Sequence, residues 1–146
     1  MINIRRATIA DIEQVVILFD EYRQFYSQLS DTAGARKFLT DRIEKNQSFI
    51  FVAEETNRLL GFIQMYPTFS SVSMLPDMIM NDLYVFPESR KKGIGKELLD
   101  HAKKFAVNNG YKGLWIETAN DNPARSLYES LGWEKDVSFT HYYWQP

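Results

Sequence analysis

Residues 78–99, MIMNDLYVFPESRKKGIGKELL, constrain this chain more than any other stretch. An apolar run ends at Val85. A short turn with Pro and Ser follows, and Arg90-Lys91-Lys92-Gly93-Ile94-Gly95 then leads into an amphipathic run. That order reads as strand, glycine turn, helix. A helix start leaves main-chain N–H groups unpaired, and the helix dipole favours negative charge there. The stretch therefore predicts an anion-binding corner of the kind that holds phosphate, flanked by three cations.

Two familiar phosphate motifs do not fit. A P-loop needs Gly, four residues, then Gly-Lys-Ser/Thr. Here Gly95-Lys96 is followed by Glu97, and Arg90 stands where the first Gly belongs. A dinucleotide fingerprint needs a third Gly, and Leu98 occupies that position. By itself the turn is equally a glycine-eased passage from strand to helix.

Composition removes several chemistries. The 146 residues include no Cys and two His, His101 and His141. Disulfides, thiolate zinc sites and Cys nucleophiles are excluded, and a His-rich metal site is not available. The net charge of -2 disfavours nucleic acid as a partner. Neither a signal core nor an apolar run of membrane-spanning length occurs, so a cytoplasmic protein without a membrane partner is expected. The length fits one domain, residues 1–146.

In chain order, residues 2–6 alternate and predict a first strand. Thr8-Ile9-Ala10-Asp11 is a capping-box-like start. Helical spacing of Ile12, Val15, Val16, Phe19, Tyr22 and Tyr26 predicts a helix to about Leu29. Residues 35–45 predict a second helix. Residues 48–54 and 58–69 predict an antiparallel hairpin, with Gly61 as a bulge candidate. Residues 70–76 read as a loop and candidate flap, and 78–85 as the central strand. After the glycine turn, a helix of about four turns ends at Asn108-Asn109-Gly110. Residues 113–118 predict a strand parallel to the central one. Pro123 opens a short helix to Leu131, and residues 139–144 read as a last strand. The class is α+β (α/β): a mixed, mostly antiparallel sheet with one parallel pair, flanked by about four helices.

One strand downstream of the turn lies Ala124-x-x-Leu127-Tyr128-x-x-x-Gly132-Trp133. Taken with Arg90-x-x-Gly93-x-Gly95 after Leu83-Tyr84-Val85, it resembles the signature segments of the GNAT superfamily of acyl-CoA-dependent N-acyltransferases. The order of elements along the whole chain is similar to that family's. Asn81-Asp82-Leu83-Tyr84-Val85 with Ser89-Arg90 more distantly resembles the branch that includes histone and polyamine acetyltransferases.

The resemblance implies a GNAT-like fold whose parallel pair is splayed to admit coenzyme A. It implies acetyl-CoA as acyl donor and direct transfer to a primary amine, either of a small polyamine or amino metabolite or of a protein lysine or N-terminus. Main chain of Leu83, Tyr84 and Val85 would hold the pantetheine arm. Arg90, Lys91, Lys92, Gly93, Ile94, Gly95 and Lys96 would hold the phosphates. Asn120 and Asn122 bracket the place where the family often has a pantetheine-bonding asparagine, Asp121 holding the matching position itself, and Arg125 is implied as a further CoA contact. Tyr128 is implied as the acid for the leaving thiolate, because a phenol is protonated at neutral pH.

The base is open between Asp82, Glu117 and a water chain. Strand alternation puts Asp82 on one face with Met80 and Tyr84. Tyr22, Phe25, Tyr26, Tyr66, Phe69 and His141 are candidate acceptor-site residues, suited to a cationic amine by cation–π contact. The aromatic tail around Phe139, Tyr142 and Tyr143 suggests a homodimer. A non-catalytic acyl-CoA-binding regulatory module with the same fold is the other function this sequence admits.

Overall fold

Two covered sheet faces explain why the middle of the sequence reads as nearly unbroken apolar runs. The computed structural model describes residues 1–146. Its five strands are β1 (Asn3–Arg6), β2 (Phe49–Glu55), β3 (Arg58–Ser70), β4 (Leu75–Val85) and β5 (Leu114–Trp115), in sheet order β1-β2-β3-β4-β5. The first three pairings are antiparallel and β4 with β5 is parallel.

Helices α1 (Ile12–Phe25) and α2 (Thr32–Glu44) cover one face, where Val15, Leu18, Phe19 and Leu39 pack on Ile50, Val52 and Phe62. Helices α3 (Ile94–Asn108) and α4 (Ala124–Ser130) cover the other, where Ile94, Leu98, Leu99 and Tyr128 pack on Phe51, Ile63, Met65 and Met80. The mixed sheet with four helices matches the expected fold class.

Two irregularities shape the sheet. On β3, Ala53 pairs with Gly61 and Glu54 with Leu59, so Leu60 is an extra residue beside the suspected Gly61. A Cβ on Gly61 would lie 2.8 Å from the Tyr84 carbonyl oxygen, so only glycine allows this approach. On β4, Gln64 pairs with Asp82 but Met65 pairs with Met80, which leaves Asn81 as a bulge. The bulge corrects the alternation expected for this strand. Met80 faces α3, whereas Asp82 and Tyr84 face α1.

The same bulge limits β5. Met78 pairs with Leu114 and Ile79 with Trp115, and pairing stops as β4 approaches Asn81. The expected six-residue strand at 113–118 is therefore two residues long. Beyond it the parallel pair is splayed.

Three further elements differ from expectation. Helix α1 stops at Phe25 rather than near Leu29. Asp20 accepts hydrogen bonds from Ser30 Oγ at 2.6 Å and the Asp31 N–H at 2.7 Å, which turns the chain back on itself. The candidate flap at 70–76 is mostly structured, because β3 and β4 continue into a long hairpin closed by residues 71–74. Residues 139–144 form no strand. Their aromatic side chains are exposed, and β propensity without a partner edge does not make a ladder.

Candidate active site

The site begins with unused main chain. Val85 lies opposite Gly61, and the next bond runs from the Phe86 N–H to the Leu60 carbonyl at 3.0 Å. In an antiparallel ladder that makes Val85, and Leu83 two residues back, non-hydrogen-bonded positions relative to β3. Their N–H and C=O groups point to the splayed side, where β5 no longer runs. In the structure the Val85 carbonyl accepts from Arg90 Nε at 2.9 Å, and the Arg90 guanidinium lies 5.4 Å over the Tyr84 ring.

The turn continues this open edge. Lys91 has φ 61° and Gly93 has φ 80°. Gly93 is the N-cap of α3, and the first helical bond runs from the Glu97 N–H to the Gly93 carbonyl at 3.0 Å. The N–H groups of Ile94, Gly95 and Lys96 precede that bond and are free for an anion. A Cβ on Gly95 would approach Leu127 of α4 to 3.3 Å, so this glycine also lets α3 and α4 pack closely.

Splayed strand, turn and helix ends enclose a cavity of about 520 Å³. Its lining includes Leu83, Tyr84, Val85, Arg90, Lys91, Gly93, Ile94, Gly95 and Lys96, with Asn122 on the α4 side. Tyr22, Phe25 and Tyr26 form the α1 lip. The Asn122 amide spans the two lips, donating to the Tyr26 hydroxyl at 3.3 Å and to Thr118 Oγ1 at 2.9 Å.

Behind β4, on the α1 face, lies a buried carboxylate. Asp82 is 2% exposed. It accepts from Asn81 Nδ2 at 2.7 Å and Gln64 Nε2 at 2.5 Å, and it forms no ion pair. The Tyr22 hydroxyl donates to the Asn81 carbonyl at 3.2 Å and stands close enough to stabilise the Asp82 charge. Burial pushes the Asp82 carboxyl above the usual carboxylate range, and these donors oppose the rise. Tyr22 and Tyr66 are both pushed up, first by burial and then by the Asp82 charge, so both phenols flank the carboxylate.

Tyr128 is buried in the α3–α4 core, 6.1 Å from the Trp133 ring. Burial, with Tyr26 nearby, pushes its phenol up to about 12. Tyr128 does not line the cavity at the glycine turn; it lines a second one, of about 630 Å³, between β5, α4 and the C-terminal segment.

The structure does not gather every residue expected from the sequence. Asn120, on the loop before α4, Arg125, on α4, and His141, in the C-terminal segment, line the second cavity and not the one at the glycine turn. Glu117 lines the second cavity too. His141 stacks on Trp115 at 6.4 Å. Lys92 lines neither of these cavities. Phe69 is 81% exposed on the outer hairpin, remote from the turn.

Sequence reasoning missed Gln64 and the Asn81 bulge, whereas Phe25 lines the cavity beside Tyr22 and Tyr26. A signal for Gln64 was present: it is the one polar side chain within the run LLGFIQM.

Comparison with known proteins gives the family of the chain. The model of the acetyltransferase (GNAT) family matches residues 15–133. The chain is 50% identical over 141 residues to the uncharacterized N-acetyltransferase YhfO of Bacillus subtilis (strain 168), covering 96% of this chain and 95% of that one. It is 30% identical over 132 residues to a probable acetyltransferase of Haemophilus influenzae, covering 82% and 90%. A crystal structure of a probable acetyltransferase superposes with a TM-score of 0.93 at 38% identity, covering 99% of this chain and 97% of that one.

Proposed function

Because the chain belongs to the GNAT family of acetyltransferases, we propose that it carries acetyl from acetyl-CoA directly to a primary amine. The observation that carries this reading is the pair of main-chain positions, Leu83 and Val85, that no strand pairs on the splayed side and that open onto a cavity ending at the positive-φ turn and the start of α3. An extended arm with amides fits against the strand edge, and a pyrophosphate fits the N–H groups at 94–96. Bound there, acetyl-CoA supplies an activated acetyl thioester.

The chain's own groups then divide the work. Val85 exchanges Arg90 Nε for an amide of the arm. The Leu83 N–H, free toward the cavity, is the donor available to the thioester carbonyl oxygen. Asn122, Lys91 and Lys96 add polar contacts along the cavity. Asp82 takes a proton from the incoming ammonium or amine, directly or through water, with Tyr22 and Tyr66 beside it. Its raised pKa suits this role, because a carboxylate of ordinary pKa is a weak base near neutrality. Tyr128 gives its hydroxyl proton to the departing thiolate. Tyr22 and Tyr26 offer aromatic faces to a cationic amine.

The test is acetyl-CoA consumption against a panel of polyamines, amino-acid amines and peptide N-termini, with CoA binding measured in parallel by calorimetry. Turnover on at least one amine, reduced in Tyr128→Phe while CoA still binds, supports the reading. Failure to bind CoA overturns it.

A further inference from the structure

The Asp82 carboxylate owes its orientation to a side chain outside the signature segments. Gln64 is 0% exposed, in the middle of β3, and its backbone is paired with Asp82 across the sheet. Its Nε2 donates to Asp82 Oδ2 at 2.5 Å, while no protein donor reaches its Oε1. A buried amide with one end unused is expensive, and an apolar residue of the same size would fill the space without that cost. The arrangement makes sense if the amide serves two states of its neighbour. Toward an ionised carboxylate it presents Nε2–H. Toward a protonated carboxyl the same amide, turned by half a rotation about its last bond, presents Oε1 to the new O–H. Either way Asp82 keeps a partner at one position.

We propose that Gln64 is the positioning residue for Asp82: it holds the carboxylate at the β4 bulge in both protonation states and keeps it ionised enough to accept a proton. The proposal rests on the reading of Asp82 as the base. The surroundings support it, because no other group on the β3 side does this work. Tyr66, also on β3, and Tyr22, on α1, are the titratable side chains facing Asp82. Tyr26, at the C-cap of α1, and Tyr128 of α4 stand behind Tyr22, and Arg42 of α2 stands beyond Tyr66. Arg42 forms no ion pair with the carboxylate. Its charge is supported by hydrogen bonds from Asn81 and Gln64 and by the nearby Tyr22 hydroxyl. Of these, Asn81 belongs to the bulge itself and Tyr22 is shared with the Asn81 carbonyl.

Gln64→Met removes the amide at nearly constant volume, and Gln64→Glu keeps the shape while offering a second carboxyl. Two readouts are needed. The first is the pH profile of kcat/KM for the amine. The second is titration of Asp82 by carboxyl carbon NMR on the intact protein, which requires no activity. With Gln64→Met, the acidic limb and the Asp82 titration both move to higher pH. At pH 7, kcat/KM falls about tenfold, the size of one lost charge-assisted hydrogen bond, and recovers at alkaline pH. CoA affinity stays within about twofold, as expected of a residue remote from the CoA cavity. With Gln64→Glu, the two carboxyls share a proton and the Asp82 titration moves up as well.

An unmoved Asp82 titration in both variants overturns the proposal. So does a uniform loss of rate with no change in the profile, which a merely structural residue would give. If Asp82→Asn keeps the wild-type profile, the base assignment falls. The NMR titration then still decides whether Gln64 controls the carboxylate. Should Gln64→Met fail to fold, Gln64→Glu, being isosteric, carries the same test.

Discussion

A phenol donates to a leaving thiolate only while it is protonated, and at Tyr128 burial guarantees that. The folded protein holds this hydroxyl up to about 12, so its neutral form prevails from acid through pH 10. Tyr128 therefore adds no alkaline limb to the rate profile over the usual assay range. Tyr128→Phe keeps the ring against Trp133 and removes the proton donor. The expected result is a fall of about 100-fold in kcat, with CoA affinity by calorimetry close to wild type. A second residue-scale effect concerns stability. Asp11 accepts two bonds from Arg5, at 2.9 and 2.8 Å, and one from the Thr8 N–H at 2.8 Å. The Arg5 guanidinium is the main reason its carboxyl is lowered to about 2. A carboxyl depressed on folding stabilises the protein above its unfolded pKa, near 3.8, and that contribution is lost as pH falls through about 2. Asp11→Asn should cost about 1–2 kcal/mol at pH 7, allowing for partial solvent screening at Arg5. The gap from wild type should close between pH 4 and pH 2 in urea unfolding.

At the scale of elements, the bulge at Asn81 decides where the sheet opens. Faces on either side of it are already correct: Met80 faces α3 and Asp82 faces α1, as they would on a regular strand lacking residue 81. Deleting Asn81 should therefore preserve both cores while straightening β4. A straighter β4 lets Leu83 and Val85 pair with the chain after β5, which consumes the main-chain groups facing the cavity. The deletion is expected to keep cooperative unfolding, with a midpoint close to wild type, and to weaken CoA binding at least tenfold, as loss of the strand-edge bonds implies. A protein that unfolds, or one that binds CoA normally, contradicts this account of the splay.

The bulge also marks the limit of what the chain discloses before folding. Strand, glycine turn and helix at 78–99 were legible because their signals are local: an apolar run, φ-permissive glycines and 3.6-residue spacing. A bulge is a property of two strands in register, and neither β3 nor β4 shows it separately. The end of α1 was hidden for a similar reason, since Asp20 captures Ser30 and Asp31 ten and eleven residues later. Asn120 and Asn122, two residues apart, could not be sorted until the start of α4 set which one faced the cavity.

Across the whole molecule, the sheet separates two cores, which also touch directly beyond the splayed edge, where Asn122 meets Tyr26. The α1–α2 core supplies one lip of the cavity through Tyr22, Phe25 and Tyr26, and the α3–α4 core supplies the other. Helix α4 has seven residues and β5 has two, so the second lip is weakly tied to the sheet. A ligand lying between the lips would bridge both cores, and its binding free energy would appear as stability of the α4 side. At a CoA concentration of 100 times its dissociation constant, linkage predicts about 2.7 kcal/mol of added stability. Hydrogen exchange should slow at 83–96 and at 114–131, where main chain either contacts the ligand or is held down by it. The hairpin tip at 71–74, outside the cavity, should exchange at the same rate with and without CoA. Protection confined to 83–96 would mean that α4 is not part of the clamp. The Asn122 bond to Tyr26 would then be an ordinary surface contact, with no part in closing the site.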